Sequence, residues 1–244
     1  MLQYCYTSSA KSSISRFFRQ ADFRRMERGN YMIDIKAAIF DLDGTLLDSL
    51  SVWEQIDIQF LEKRGFTATT DYTRAVTPLG FHKAAEYTIA RYGLKESTED
   101  VENEWMQMAQ DAYASEIKLK PNALEYLLSL KAAGVKLGVA TALRPESIEA
   151  VLKHNGIYDL FESFTMLHEV SRGKGFPDIY ILAAQRLGVT ADQCMVFEDI
   201  LTAVKGAKAG GFQVCGVYDS YADHEWDQIK ELSDCSIKNF AELM

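Results

Sequence analysis

The sequence predicts an α/β fold: a doubly wound parallel sheet with an inserted α-helical domain. Three observations carry this. After Pro121, strand-like apolar runs alternate with helical stretches. The first such run, Ala37 to Phe40, is separated from the next, at Val135, by roughly three times the ~30 residues that one strand-helix-strand crossover needs. Residues 50–118, in between, have helical patterning and no convincing strand, so the excess is an inserted helical domain.

The elements follow in order. The strand Ala37 to Phe40 runs into Asp41-Leu42-Asp43-Gly44-Thr45 and then a long helix carrying Leu50, Trp53, Ile56, Phe60 and Leu61 at helical spacing, ending near Gly65. A second helix spans 80–92 and is closed by Gly93; a third spans 98–116, opened by Ser97 or Thr98 with acids in its first turn. Next come a helix over 122–133 with Gly134, a strand over 135–140, a helix over 145–154 with Gly156, and a strand near 163–167. A helix over 178–187 ends at Gly188, the strand Cys194 to Phe197 leads into a helix up to Ala209, and Gly210-Gly211 precede the strand Phe212 to Val217. The expected organisation is an N-terminal extension, poorly ordered, over 1–33; an α/β core over 34–49 and 119–244; and a helical cap over 50–118. The insert enters just after the carboxyl end of the first strand, the edge where open α/β sheets bind ligands, so it would roof a site there.

Composition bounds the function. The 244 residues are 48% apolar and 25% charged, ordinary for a folded globular chain. No apolar run approaches the ~18 residues of a membrane span. A formal charge of −9 disfavours nucleic acid as the main partner. The charge is uneven: residues 1–33 carry +4 and the remainder −13. The N-terminal segment is Ser- and Arg-rich without the apolar centre of a secretory signal. It overlaps transit peptides in composition, but the expectation is an upstream extension whose true start is Met26 or Met32. Cys5, Cys194, Cys215 and Cys235 show neither zinc-type pairing nor a disulfide framework, so they read as reduced thiols of a cytoplasmic protein.

Polar residues recur at the ends of the strands. Asp41 and Asp43 lie two apart on the loop leaving a buried strand, and Gly44 permits the turn before Thr45. Thr141 follows Leu137-Gly-Val-Ala140, Lys174 precedes the helix at Pro177, and Glu198-Asp199 follow Cys194-Met-Val-Phe197. Singly, each has a plain explanation: a turn with a capping Asp, a capping Thr, a solvated Lys, an acidic helix start. At four strand ends that share one edge, the plain explanation is strained.

Through these four motifs the sequence resembles the haloacid dehalogenase superfamily over about residues 35–240, in the branch with an inserted helical cap that includes β-phosphoglucomutase and phosphoglycolate phosphatase. The resemblance implies that Asp41 is the nucleophile, forming an aspartyl-phosphate, and that Asp43 protonates the leaving alkoxide and then takes a proton from the attacking water. It implies Mg²⁺ held by Asp41, the Asp43 main-chain carbonyl and Asp199, with Glu198 near or bound through water. Thr141 and Lys174 would hold the transferring phosphoryl oxygens, and the phosphate-binding positions are Asp41, Gly44, Thr45, Thr141, Ala142 and Lys174. An acid at Asp43 favours a phosphate ester over a haloacid, because halide leaves without a proton.

The chain departs from the pattern in three places. Lys174-Gly-Phe-Pro177-Asp178 stands where Lys-Pro-x-Pro-Asp is common, and Ile200 and Ala203 stand where Ser and Gly are frequent; neither change removes a metal ligand. Trp53 occupies the place of a histidine that helps the mutase suppress hydrolysis, which tilts the reading toward a phosphatase.

The segment Pro78-Leu79-Gly80-Phe81-His82-Lys83 looks like the cap loop that reaches the substrate, so His82 and Lys83 are candidate substrate contacts, with plain solvent exposure at a helix start as the alternative. His154, His168 and His224 lack spaced partners and read as surface or packing residues, and Trp53, Trp105 and Met106 to Met108 as cap packing. The expected function is a Mg²⁺-dependent hydrolase of a small phosphate monoester, a sugar phosphate or a phosphoglycolate-like metabolite, acting as a cytoplasmic monomer without membrane or nucleic-acid partners. The alternatives are a β-phosphoglucomutase-like phosphomutase and a non-catalytic binding protein on the same fold. The last is disfavoured because the fold alone does not require Asp41, Asp43, Thr141, Lys174 and Asp199.

Overall fold

The computed structural model of the protein describes residues 35–76, 79 and 81–244. The extension expected over 1–33, with Cys5, and Pro78 and Gly80 of the expected cap loop lie outside the described residues. Six strands, β1 (Ala37–Phe40), β2 (Lys136–Thr141), β3 (Ser163–Met166), β4 (Cys194–Glu198), β5 (Gln213–Val217) and β6 (Cys235–Ile237), form one parallel sheet in the order β3-β2-β1-β4-β5-β6.

β1 consists of four apolar residues, all buried. A strand apolar on both faces is stable only inside a sheet covered on both sides. β1 accordingly lies between β2 and β4, with Phe40 opposite Val139 and Phe197.

Between β1 and β2 the chain forms α1 (Val52–Glu62), α2 (Thr70–Val76), α3 (Phe81–Tyr92), α4 (Thr98–Ser115) and α5 (Ala123–Ala132). The first four bury an apolar cluster of their own, including Ile56, Phe60, Leu61, Tyr72, Ala85, Val101 and Trp105. Trp105 meets Phe60 edge-on at 5.5 Å, the packing role expected for it. Arg64, just past α1, reaches Glu96 at 2.8 Å and Glu104 at 2.6 Å and ties α1 to α4. Of the two candidate caps for α4, Ser97 is the one used: its hydroxyl accepts from the Asp100 amide, and the Asp100 carboxylate accepts from the Ser97 amide. α2, a seven-residue helix, was not expected.

The chain leaves and re-enters the sheet side by side. Leu47 bridges Leu119, the Asp48 amide donates to the Lys118 carbonyl at 2.9 Å, and the Lys120 amide to the Leu46 carbonyl at 2.8 Å.

The remaining helices are α6 (Pro145–His154), α7 (Asp178–Leu187), α8 (Leu201–Ala209) and α9 (Trp226–Leu232). On one sheet face α7, α8 and α9 pack over Ala37, Ile39, Cys194, Val196 and Val214. On the other, Phe40 stacks on Phe197 at 4.3 Å, and Tyr126 of α5 meets Phe197 edge-on. Each such ring or branched aliphatic side chain, fully buried, contributes about 1.5–3 kcal/mol. Cys194 and Cys215 are buried, Cys235 is half-buried, and all three are free thiols. Among the described residues no helix is long and apolar enough to cross a membrane.

Candidate active site

The carboxyl ends of β1, β2 and β4 meet at a cavity of about 450 Å³. Its walls include Asp41, Asp43, Thr141, Ala142, Lys174 and Asp199. Thus most of the strand-end residues singled out from the sequence converge on one space.

Asp41 directly follows β1, and its amide donates to the Phe197 carbonyl at 3.1 Å, so the sheet ladder itself fixes this residue. Gly44 shapes the turn behind it. Its φ is +74°, and a Cβ there would lie 2.1 Å from Asp199 Oδ2, so only glycine lets the Asp199 carboxylate come down onto the turn. Thr45 is fully buried and donates from Oγ1 to Asp199 Oδ1 at 3.1 Å. Gly44 and Thr45 therefore shape and hold Asp199 from behind, and neither lines the cavity.

Lys174 Nζ sits between two acids, 2.5 Å from Asp41 Oδ1 and 2.8 Å from Glu198 Oε1. Its loop lies against α8 at Gly206, where a Cβ would meet the Lys174 carbonyl oxygen at 2.0 Å. Burial alone would lower the Lys174 pKa, but the Asp41 and Glu198 carboxylates outweigh it and hold the ammonium charged above its ordinary range. Glu198 is fully buried; its Oε1 also accepts from the Tyr180 hydroxyl at 2.8 Å, while its Oε2 has no hydrogen-bond partner among the described residues.

Asp41, Glu198 and Asp199 each bring a carboxylate oxygen within 4.8 Å of the others. With Lys174 the one cation among the described residues in direct contact with this cluster, burial and like-charge repulsion push both Glu198 and Asp199 above the usual carboxylate range. An oxygen-only donor set, excess negative charge and an unpartnered buried carboxylate oxygen suit a hard divalent cation.

Asp43 faces a different environment. Its Oδ1 accepts from the Ser49 hydroxyl at 2.6 Å and from the Tyr113 hydroxyl, on α4, at 2.7 Å. Burial raises its pKa, the Ser49 bond opposes this, and the neighbouring Asp41 charge adds to it; the net direction is up. Thr141, at the end of β2, is buried, and its Oγ1 accepts from the Leu143 amide at 3.2 Å.

His82 and Lys83 line neither this cavity nor the second one found in the molecule. His82 is exposed at the start of α3, with Nδ1 2.8 Å from Glu102 and Nε2 3.7 Å from Glu86. Conversely, His224, read as a surface or packing residue, lines the cavity with Tyr221 and Glu225 on the 3-10 segment Ser220–Glu225 after β5. The Glu225 carboxylate also accepts from the Leu201 amide at the start of α8. Ser49, Tyr113, Tyr180 and Tyr221 were missed as well. Only Ser49, six residues from Asp43, was within reach of local reasoning.

A family model described as haloacid dehalogenase-like hydrolase matches residues 35–211. Hexitol phosphatase A of Escherichia coli (strain K12) is 30% identical over 75% of this chain and 82% of its own length. A phosphorylated carbohydrates phosphatase of Thermotoga maritima is 26% identical over 78% and 88%. The crystal structure of CbbY from Rhodobacter sphaeroides in complex with phosphate superposes with a TM-score of 0.67 at 24% identity, covering 86% of this chain and 96% of that one, which establishes likeness of fold.

Proposed function

We propose that this chain, which belongs to the haloacid dehalogenase-like hydrolases, is a phosphatase that hydrolyses a small phosphate monoester through a phosphorylated Asp41. The observation that carries the reading is the cluster of Asp41, Lys174, Glu198 and Asp199 on one cavity edge, with Asp43 beside it. The phosphatase names of the relatives above support it. In this reading residues 50–118 form a cap over a core made of 34–49 and 119–244. The paired segments around Leu47 and Leu119 support that division, because both connections pass through one narrow place.

Asp41, Glu198, Asp199 and the Asp43 main-chain carbonyl would hold a divalent cation, Mg²⁺ by their all-oxygen chemistry. When bound, it supplies positive charge that offsets the repulsion between an anionic nucleophile and an anionic phosphate.

The remaining work falls to the side chains. An Asp41 carboxylate oxygen attacks phosphorus in line; the new O–P bond forms as the bond to the leaving oxygen breaks. Asp43, whose raised pKa favours the protonated acid, gives its proton to that oxygen. Both hydroxyl contacts to Asp43 fall on Oδ1, so Oδ2 is the oxygen for proton transfer. Lys174 and Thr141 hold the equatorial phosphoryl oxygens as charge develops on them. Water then attacks phosphorus, Asp43 accepts its proton, and Asp41 is released as carboxylate with inorganic phosphate as product.

The test is phosphate release from a panel of small phosphomonoesters with Mg²⁺, beside EDTA and Asp41→Asn controls, each run with and without a sugar bisphosphate. Release that needs both the metal and Asp41 is expected. Conversion of a hexose 1-phosphate to its 6-phosphate without net phosphate release would replace the reading with the mutase one, and no turnover in either assay would leave the non-catalytic one.

A further inference from the structure

A second cavity, of about 240 Å³, opens among the helices that follow β1. Its wall includes Trp53, Glu54, Asp57, Phe81, Trp105 and Tyr221. Tyr221 also lines the cavity around Asp41, so the two spaces share a wall.

The lining chemistry is one-sided. Glu54 and Asp57 lie three residues apart on α1, and so on one helix face. Among the described residues that line it there is no Lys, Arg or His. Around the two acids stands a set of rings: Phe81 meets Trp53 edge-on at 5.6 Å and Trp105 edge-on at 5.6 Å. Trp53, Phe81 and Tyr221 are left 38–48% exposed, although such rings gain from burial.

Asp57 Oδ1 accepts from the Tyr72 hydroxyl at 3.1 Å, and both acids lie near enough to Tyr221 for their charges to act on it. The Tyr221 phenol is raised by burial and then by the charges of Glu54 and Asp57. Asp57 is pushed up to about 6, chiefly by burial, with the Tyr72 hydrogen bond opposing this and the Glu54 charge adding to it.

Aromatic faces beside carboxylates attract a cation by quadrupole and by charge together. They repel a second phosphate or a carboxylate. A polyol can donate hydroxyl hydrogen bonds to the carboxylates and stack on the rings, but it brings no charge to offset theirs, so the acids favour an ammonium over it.

We propose that this cavity receives the leaving group and selects phosphate monoesters whose leaving group carries a positively charged nitrogen, an ammonium or quaternary ammonium. The proposal rests on the phosphatase reading for where the phosphoryl group sits, but cation recognition can be measured without turnover.

The full-length protein is titrated with choline and with 3,3-dimethylbutan-1-ol, its neutral isostere, following Trp fluorescence from the cavity. Choline should bind at least tenfold more tightly. Glu54→Gln, at an exposed position that tolerates the change, should shrink that ratio, and Glu54→Gln with Asp57→Asn should bring it below threefold. In parallel, kcat/KM is compared for choline phosphate, 3,3-dimethylbutyl phosphate and phosphoglycolate, with the same order expected. Equal or tighter binding of the neutral alcohol, or a ratio that the substitutions do not move, overturns the proposal. Choline selectivity without hydrolysis of any ester removes the phosphatase reading and keeps the pocket. Hydrolysis indifferent to leaving-group charge does the reverse.

Discussion

Replacing Gly206 by alanine isolates how Lys174 is positioned. A Cβ at 206 would stand 2.0 Å from the Lys174 carbonyl oxygen, 2.9 Å from the Gly175 carbonyl carbon and 3.0 Å from that of Lys174. Ordinary contact begins near 3.4 Å, so the Lys174-Gly175 peptide must retreat by about 1.4 Å. Helix propensity favours alanine inside α8 by about 1 kcal/mol, whereas overpacking costs about 1–3 kcal/mol. The net loss of about 0–2 kcal/mol should lower Tm by only about 0–8 °C at this chain length. Activity should suffer far more, because a ~1 Å misplacement of a positioning group costs on the order of 100-fold in rate. The assay is kcat for a small phosphomonoester alongside thermal unfolding, with Gly173→Ala, whose added Cβ meets nothing within 4 Å, as the matched control. If Gly206→Ala keeps kcat within threefold of wild type, the packing of α8 against this loop does not set the position of the lysine, and the reasoning fails.

Lys174→Met should lose about 3–5 kcal/mol of stability in urea unfolding, because Asp41 and Glu198 lose their shared buried cation; equal stability would refute a net stabilising role for this ion pair. Tyr113→Phe removes one of two donors to Asp43 Oδ1 and should lower kcat about tenfold with KM little changed, as measured by initial rates; an unchanged kcat would make the contact merely structural. Glu198 and Asp199 are raised above their ordinary values of 4.5 and 3.8, so their contribution to stability is fully present below those values and is lost as pH rises through the raised ones. The EDTA-treated protein should therefore be more stable at pH 5 than at pH 8, with Mg²⁺ closing the gap at pH 8 and binding more tightly there; calorimetry showing the opposite slope would refute the charge balance.

Five of the six strands were legible because they are short apolar runs separated by glycine-terminated helices, and the spacing from Phe40 to Val135 pointed to the helices between β1 and β2; β6, three residues over Cys235–Ile237, was not. α2 was not legible, since seven residues, Thr70–Val76, are too few to show a helical period. Asp41, Asp43, Thr141, Glu198 and Asp199 sit at or just past the ends of β1, β2 and β4, and Lys174 on the loop before α7, so local pattern singled them out. Tyr113 approaches Asp43 across 70 residues of chain and His224 enters on a 3-10 segment, contacts that only tertiary packing creates. Trp53 and Trp105 matched the packing pattern of a helix, and that pattern is silent about the cavity they also border. Gly206, inside a helix, looked like any small residue until the close approach of the Lys174 carbonyl gave it a reason.

The place of β1 in the sheet also bears on how the chain is made. β1 is the first strand in sequence among the described residues, yet its neighbours β2 and β4 lie about 100 and about 160 residues downstream, so its pairing is of high contact order. At a synthesis rate of about 5–20 residues per second, Ala37–Phe40 waits roughly 8–30 s for its second partner. During that interval both edges of an apolar strand can be captured by other chains, a hazard that holding by a chaperone would relieve. Nascent chains stalled before Phe197 should therefore be aggregation-prone and inactive, however complete their helical insert.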